Sequence, residues 1–74
     1  MKRQILIDFR GNKSQKEMAD KYNVSQQAWS KWENGGNTPT PDKMKLLEDD
    51  IGVPMEAIFF DTFNHHVTSE DASN

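Results

Sequence analysis

Between Ser25 and Asn34 the chain reads SQQAWSKWEN, and here residue types and spacing suggest chemistry. At about 100° per residue around a helix, Gln26, Gln27, Ser30, Lys31 and Asn34 fall within an arc of roughly 140°. Trp29 and Trp32 lie on the opposite side. One face therefore offers amide, hydroxyl and ammonium groups outward, while the other offers two large rings to a core. The outward groups match what base edges present: glutamine can pair bidentately with adenine N6 and N7, and lysine can donate to guanine O6 and N7. The plain alternative is an ordinary solvated helix face, since polar surface helices are common.

Other candidate chemistries are weaker. His65-His66 are adjacent, lie in a polar stretch and have no cysteine or fixed carboxylate beside them, which makes a poor metal site. Glu48, Asp49 and Asp50 could suggest paired carboxylates, yet they close a helix and enclose no pocket; an exposed acidic helix end is the expectation. Gly35-Gly36 lacks the strand and the lysine-serine context of a phosphate loop. No serine has a positioned histidine, so no enzymatic activity, cofactor or small-molecule ligand is expected. The chain contains no cysteine, which excludes a thiolate zinc site and a disulfide scaffold.

Three start signals frame the segment, at Ser14, Ser25 and Thr40. Ser14-Gln15-Lys16-Glu17 is a capping box, in which hydroxyl and carboxylate reciprocally satisfy first-turn backbone donors. That helix should bury Met18, Ala19 and Tyr22 and end at Asn23, a residue that tolerates the left-handed conformation. Ser25 opens the next, which Asn34-Gly35-Gly36 should end. Thr40-Pro41-Asp42 places a capping hydroxyl, an N1 proline and an acid at the start of another, running to about Asp50 with Met44, Leu47 and Ile51 inward before Gly52 stops it. Pro54 to Phe59 can form a last short helix with Met55, Ile58 and Phe59 as its apolar side. The opening segment is ambiguous: Ile5, Ile7 and Phe9 alternate like a strand, while Ile5, Leu6 and Phe9 fit a helix stripe. From Asp61 the chain reads DTFNHHVTSEDASN, so residues 61–74 are expected to form a flexible polar tail behind a domain at 1–60. Phe63 and Val67 are the residues there that could dock.

Gln15, Met18, Ala19, Asn23, Val24, Trp29 and Trp32 occupy the helix-turn-helix pattern, with small Ala19 where two helices cross and Val24 and Trp29 in the angle between them. From about Leu6 to Phe60 the chain resembles the phage-repressor and Cro-like helix-turn-helix domains, the Xre family, both in SQKEMADKYNVSQQAWSKWENG and in TPTPDKMKLLEDDIGVPMEAIF. The resemblance implies an all-α fold, a compact five-helix lambda-repressor-like DNA-binding domain, and so a helix for the opening segment. It implies a sequence-specific transcriptional regulator that inserts the helix after Ser25 into the major groove of an operator. Gln15 would contact phosphate and brace that helix; Gln26 and Gln27, with Ser30 and Lys31, would read base edges; Asn34 would bond a backbone phosphate. Ser25 belongs to the same DNA-facing set. Lys13, Arg10 and the Gly35 to Thr38 loop are further phosphate candidates. Family members often pair an arginine of the first helix with the residue matching Glu33. Arg10 is the candidate, although the link to Ser14-Gln15 is shorter than usual and Asn12-Lys13 stands where Gly-Leu is customary. Asn23 replaces the usual turn glycine.

With 74 residues, 34% of them hydrophobic, the chain supports one small domain. The apolar stretch at Ile5-Leu6-Ile7 is too short for a signal-peptide core, and no run approaches a membrane span, so a cytoplasmic location is expected. The formal net charge is −3, which argues mildly against nucleic acid. One module covers only about 600–1,000 Å² on DNA, so a homodimer on two half-sites is expected, joined through the last helix or the Phe63 region. The competing reading is an antitoxin or anti-repressor-like protein-interaction module on the same fold, for which the acidic balance and polar tail speak.

Overall fold

A computed structural model describes residues 2–63. Five helices follow one another: α1 (Gln4–Arg10), α2 (Gln15–Lys21), α3 (Gln26–Asn34), α4 (Pro41–Ile51) and α5 (Met55–Ile58). Residues 60–63 add one more helical turn, and no strand occurs among the described residues. The all-α expectation therefore holds.

The opening segment is helix. Its Leu6 is fully buried and Ile5 and Phe9 pack against the same core, so the stripe at i, i+1 and i+4 prevails over the alternation of Ile5, Ile7 and Phe9. Gly11 ends α1 at φ 58° and ψ −125°, and its N–H donates to the Ile7 carbonyl at 3.1 Å. A glycine is needed there because side chains disfavour that region.

The capping box forms as expected. Ser14 Oγ accepts from the Glu17 N–H at 3.0 Å, and Glu17 Oε1 accepts from the Ser14 N–H at 2.9 Å. α2 closes through Tyr22, and Asn23 takes φ 59°, the left-handed conformation anticipated for it. The Val24 N–H then donates back to the Ala19 carbonyl at 2.9 Å, which fixes the turn into α3. Gly35 ends α3 at φ 79°, and Gly52 ends α4 at φ 80°.

Thr40 departs from expectation. It has the extended backbone of a cap, but its side chain makes no capping hydrogen bond. Pro41 carries no N–H and Thr40 is exposed, so the remaining first-turn donors can be met by water.

The core is Leu6, Met18, Ala19, Tyr22, Trp29, Trp32, Met44, Leu47, Ile58 and Phe59. Fully buried Trp29 stacks on Tyr22 at 5.7 Å and meets Trp32 at 5.6 Å with the planes tilted by 58°. Tyr22 donates its hydroxyl to Asp50 at 2.7 Å, which ties α2 to the end of α4. Ile51, expected inward, is half-buried. Asp61 is not a free tail residue, because it pairs with Arg3 at 3.0 Å. The remaining tail expectations, with His65, His66 and Val67, lie outside the described residues. Among those described, no helix is long and apolar enough to cross a membrane.

Candidate nucleic-acid interface

Packing of α3 is governed by its two tryptophans, which face inward and leave the opposite face to polar residues. Gln26 and Gln27 are exposed in its first turn, Lys31 is exposed one turn on, and Ser30 is half-buried between them. With Gln15 of α2 these four line one depression of about 340 Å³. Residues from two helices are thus brought together by the α2–α3 turn.

Behind this face lies a buried carboxylate, Glu33, only 3% exposed. Its Oε2 accepts from Arg10 Nε at 2.6 Å and from Trp29 Nε1 at 2.5 Å. Its Oε1 accepts from Gln15 Nε2 at 3.1 Å and from Arg10 Nη2 at 3.3 Å. Burial pushes the Glu33 carboxyl up, but the hydrogen bonds from Arg10, Gln15 and Trp29 and the charge of Arg10 outweigh it and hold the group below its ordinary 4.5. The guanidinium of Arg10 is raised in return, chiefly by that hydrogen bond. The shortened link does not prevent the pairing: Gly11 turns the chain sharply, and Arg10 Nη1 also donates to the Lys13 carbonyl at 3.1 Å. Gln15 is braced by Glu33 while it lines the depression.

Ser25 caps α3, its Oγ accepting from the Ala28 N–H at 3.1 Å. Asn34 is exposed in the last turn, with Nδ2 at 3.5 Å from Ser30 Oγ. Lys13 is exposed between α1 and α2. Thr38 does not line the depression. Its hydroxyl accepts from Arg3 Nη2 at 3.1 Å and lies 3.1 Å from Thr62 Oγ1, and its N–H donates to Asn37 Oδ1 at 2.9 Å, so its hydroxyl and N–H are engaged within the fold.

Sequence reasoning missed Arg3. It is 2% exposed and bonds Asp61 through both Nε and Nη2 at 3.0 Å. Burial pushes the Asp61 carboxyl up, but the Arg3 hydrogen bond and charge hold it below its ordinary 3.8.

A family model described as Helix-turn-helix matches residues 3–58 of this geometry. The chain belongs to that helix-turn-helix family, of Xre/Cro-like type. No curated relative and no solved structure matches the chain. Membership makes it a DNA-binding helix-turn-helix regulator in general terms, with α3 as the second helix of the motif.

Proposed function

We propose that this helix-turn-helix protein is a sequence-specific transcriptional regulator of the phage or mobile-element repressor type, acting in the cytoplasm by occupying an operator. The observation that carries the reading is the convergence of Gln15, Gln26, Gln27, Ser30 and Lys31 on one depression. These are donors and acceptors of the kind that match base edges, on a helix of a size that the major groove admits. Gln26 and Gln27 read bases from the first turn of α3, Ser30 and Lys31 follow along the groove, and Gln15, Asn34 and Lys13 hold phosphates.

A homodimer doubles a contact area too small for high specificity alone. Leu46, Phe60 and Phe63 are the large exposed apolar side chains among the described residues, and the last two support a contact through the 60–63 turn. The test is unbiased selection of bound duplexes from a random pool with the full chain. A single enriched motif with two half-sites about 10–10.5 base pairs apart, or a multiple of that, is the expected result. Recovery of unrelated sequences at equal frequency overturns the proposal.

A further inference from the structure

The last carbonyls of a helix have no partner within it and carry its negative end. In α3 the Lys31 carbonyl accepts from the Gly36 N–H at 2.9 Å, and the Trp32 carbonyl from the Gly35 N–H at 3.4 Å. The rest of the cap comes from the beginning of the chain. The Arg3 N–H donates to the Glu33 carbonyl at 2.7 Å, and Arg3 Nη1 donates to the Trp32 carbonyl at 3.0 Å. The same Nη1 reaches the Asn37 carbonyl at 2.6 Å, and Nη2 reaches the Thr38 hydroxyl. A buried guanidinium thus holds both the end of α3 and the loop that leaves it. Its own orientation is set by Asp61 and by Thr62 Oγ1 at 3.2 Å, and it lies 4.9 Å from the centre of the Phe59 ring.

We infer that Arg3 is a positioning residue for base reading, and that Asp61 and Thr62 make the tilt of α3 depend on docking of the 60–63 turn. This rests on the DNA-reading proposal above. A nine-residue helix is about 13 Å long, so a 10° change of tilt moves one end relative to the other by about 2 Å. Base readout requires side chains held within about 0.5 Å and 10–20°, whereas attraction to phosphate tolerates far more. The Arg10–Glu33 pair still secures the middle of the motif when Arg3 is altered, so loss of the cap loosens the helix end without removing the fold.

The test uses the full chain with Arg3→Lys and Asp61→Asn. Lysine keeps the charge but cannot serve two carbonyls, two hydroxyls and a carboxylate in one fixed fork. Two quantities are measured: amide hydrogen exchange, and the ratio of affinities for the selected duplex and an unrelated one. The Gly35 and Gly36 amides should exchange about tenfold faster while protection in α2 and α4 is unchanged. The affinity ratio should fall about fivefold with little change on the unrelated duplex. A uniform loss of protection across α2, α3 and α4, or an unchanged ratio, overturns the inference. Should the unaltered protein prefer no duplex, the DNA-reading proposal fails and positioning for base reading fails with it; exchange at Gly35 and Gly36 then still decides whether Arg3 holds the helix end. Should Arg3→Lys fail to fold, Asp61→Asn supplies the same comparison.

Discussion

Replacing Glu33 by glutamine isolates the charge at the centre of the motif, because the shape is kept while one oxygen becomes an NH₂ group. Each carboxylate oxygen of Glu33 accepts two hydrogen bonds, Oε2 from Arg10 Nε and Trp29 Nε1, Oε1 from Arg10 Nη2 and Gln15 Nε2. Glutamine can retain the two shorter bonds by placing its carbonyl at the Oε2 position. Its NH₂ then faces two donors. Gln15 can turn its own amide to accept, but the second Arg10 contact is lost and the remaining one is no longer between opposite charges. Hydrogen bonds to charged groups are worth about 1.5–3 kcal/mol, and the side chain of Arg10 is 24% exposed and can recover some hydration. The expected cost is therefore about 2–3 kcal/mol, a large part of the roughly 4–11 kcal/mol open to a chain of this length. Urea unfolding at neutral pH measures it. Since the folded-state carboxyl lies below its ordinary 4.5, the contribution is present above that value and is lost as pH falls through the lower one. The difference between parent and variant must shrink on acidification to about pH 3. A cost under about 0.5 kcal/mol at neutral pH, or one that does not change with pH, would mean that the Glu33 charge does not hold the motif together.

Three further outcomes follow from particular contacts. Gln27→Ala should lose about 1–3 kcal/mol of affinity on the preferred operator only, read by titration against matched and unrelated duplexes; equal loss on both contradicts base reading. Burial and the Asp50 hydrogen bond raise the ionisation of Tyr22 above its ordinary 10, so this single tyrosine should resist alkaline titration followed by absorbance. Stability from that shift is complete below 10 and is lost as pH rises beyond it. Gly11→Ala should cost about 1–3 kcal/mol in thermal unfolding, because a side chain is strained at φ 58° and ψ −125° even though the nearest atom to an added Cβ is a carbonyl oxygen at 3.8 Å.

What the sequence made legible was mostly local. The box at Ser14 and Glu17, the left-handed Asn23 and the glycine after Asn34 all act within a few residues, so their spacing reveals them. The resemblance pointed to Arg10 as the partner of Glu33, but the Trp29 and Gln15 donors that complete its surroundings were not anticipated, although Trp29 and Glu33 stand four apart on one helix, the separation at which side chains meet. Arg3 and Asp61 are separated by 58 positions, and each looks like an ordinary surface charge near a chain end. Only the closed fold brings them together. That same closure takes Thr38 into the Arg3 network, where the sequence alone placed it among the phosphate contacts. The opening helix was ambiguous because a seven-residue segment satisfies both periodicities at once.

The charge distribution bears on DNA affinity in a way that depends on these contacts. Residues 1–31 carry seven Lys and Arg against three Asp and Glu, 7 − 3 = +4, while residues 32–60 carry two against six, 2 − 6 = −4, and residues 61–74 add −3. Taken from the sequence, seven cations in the first segment could meet phosphate. The structure removes both arginines, since Arg3 is paired with Asp61 and Arg10 with Glu33, each acid coming from a later segment. Lys21 lies over the rings of Phe9 and Tyr22 at 5.4 and 5.6 Å. Lys2, Lys13, Lys16 and Lys31 remain exposed, and Lys16 already meets Asp20 at 3.3 Å. At about 0.9 counterions released per phosphate neutralised, the plot of log affinity against log salt should have a slope no steeper than about −4 per domain. Lys13→Ala should flatten it by about 1 on every sequence alike. A slope beyond about −5 per domain would mean that further cations, Lys21 and the lysines of α4 or the paired arginines, also meet phosphate. Such a result, measured on duplexes of unrelated sequence, would show that more of the chain's positive charge acts outward than these four lysines carry.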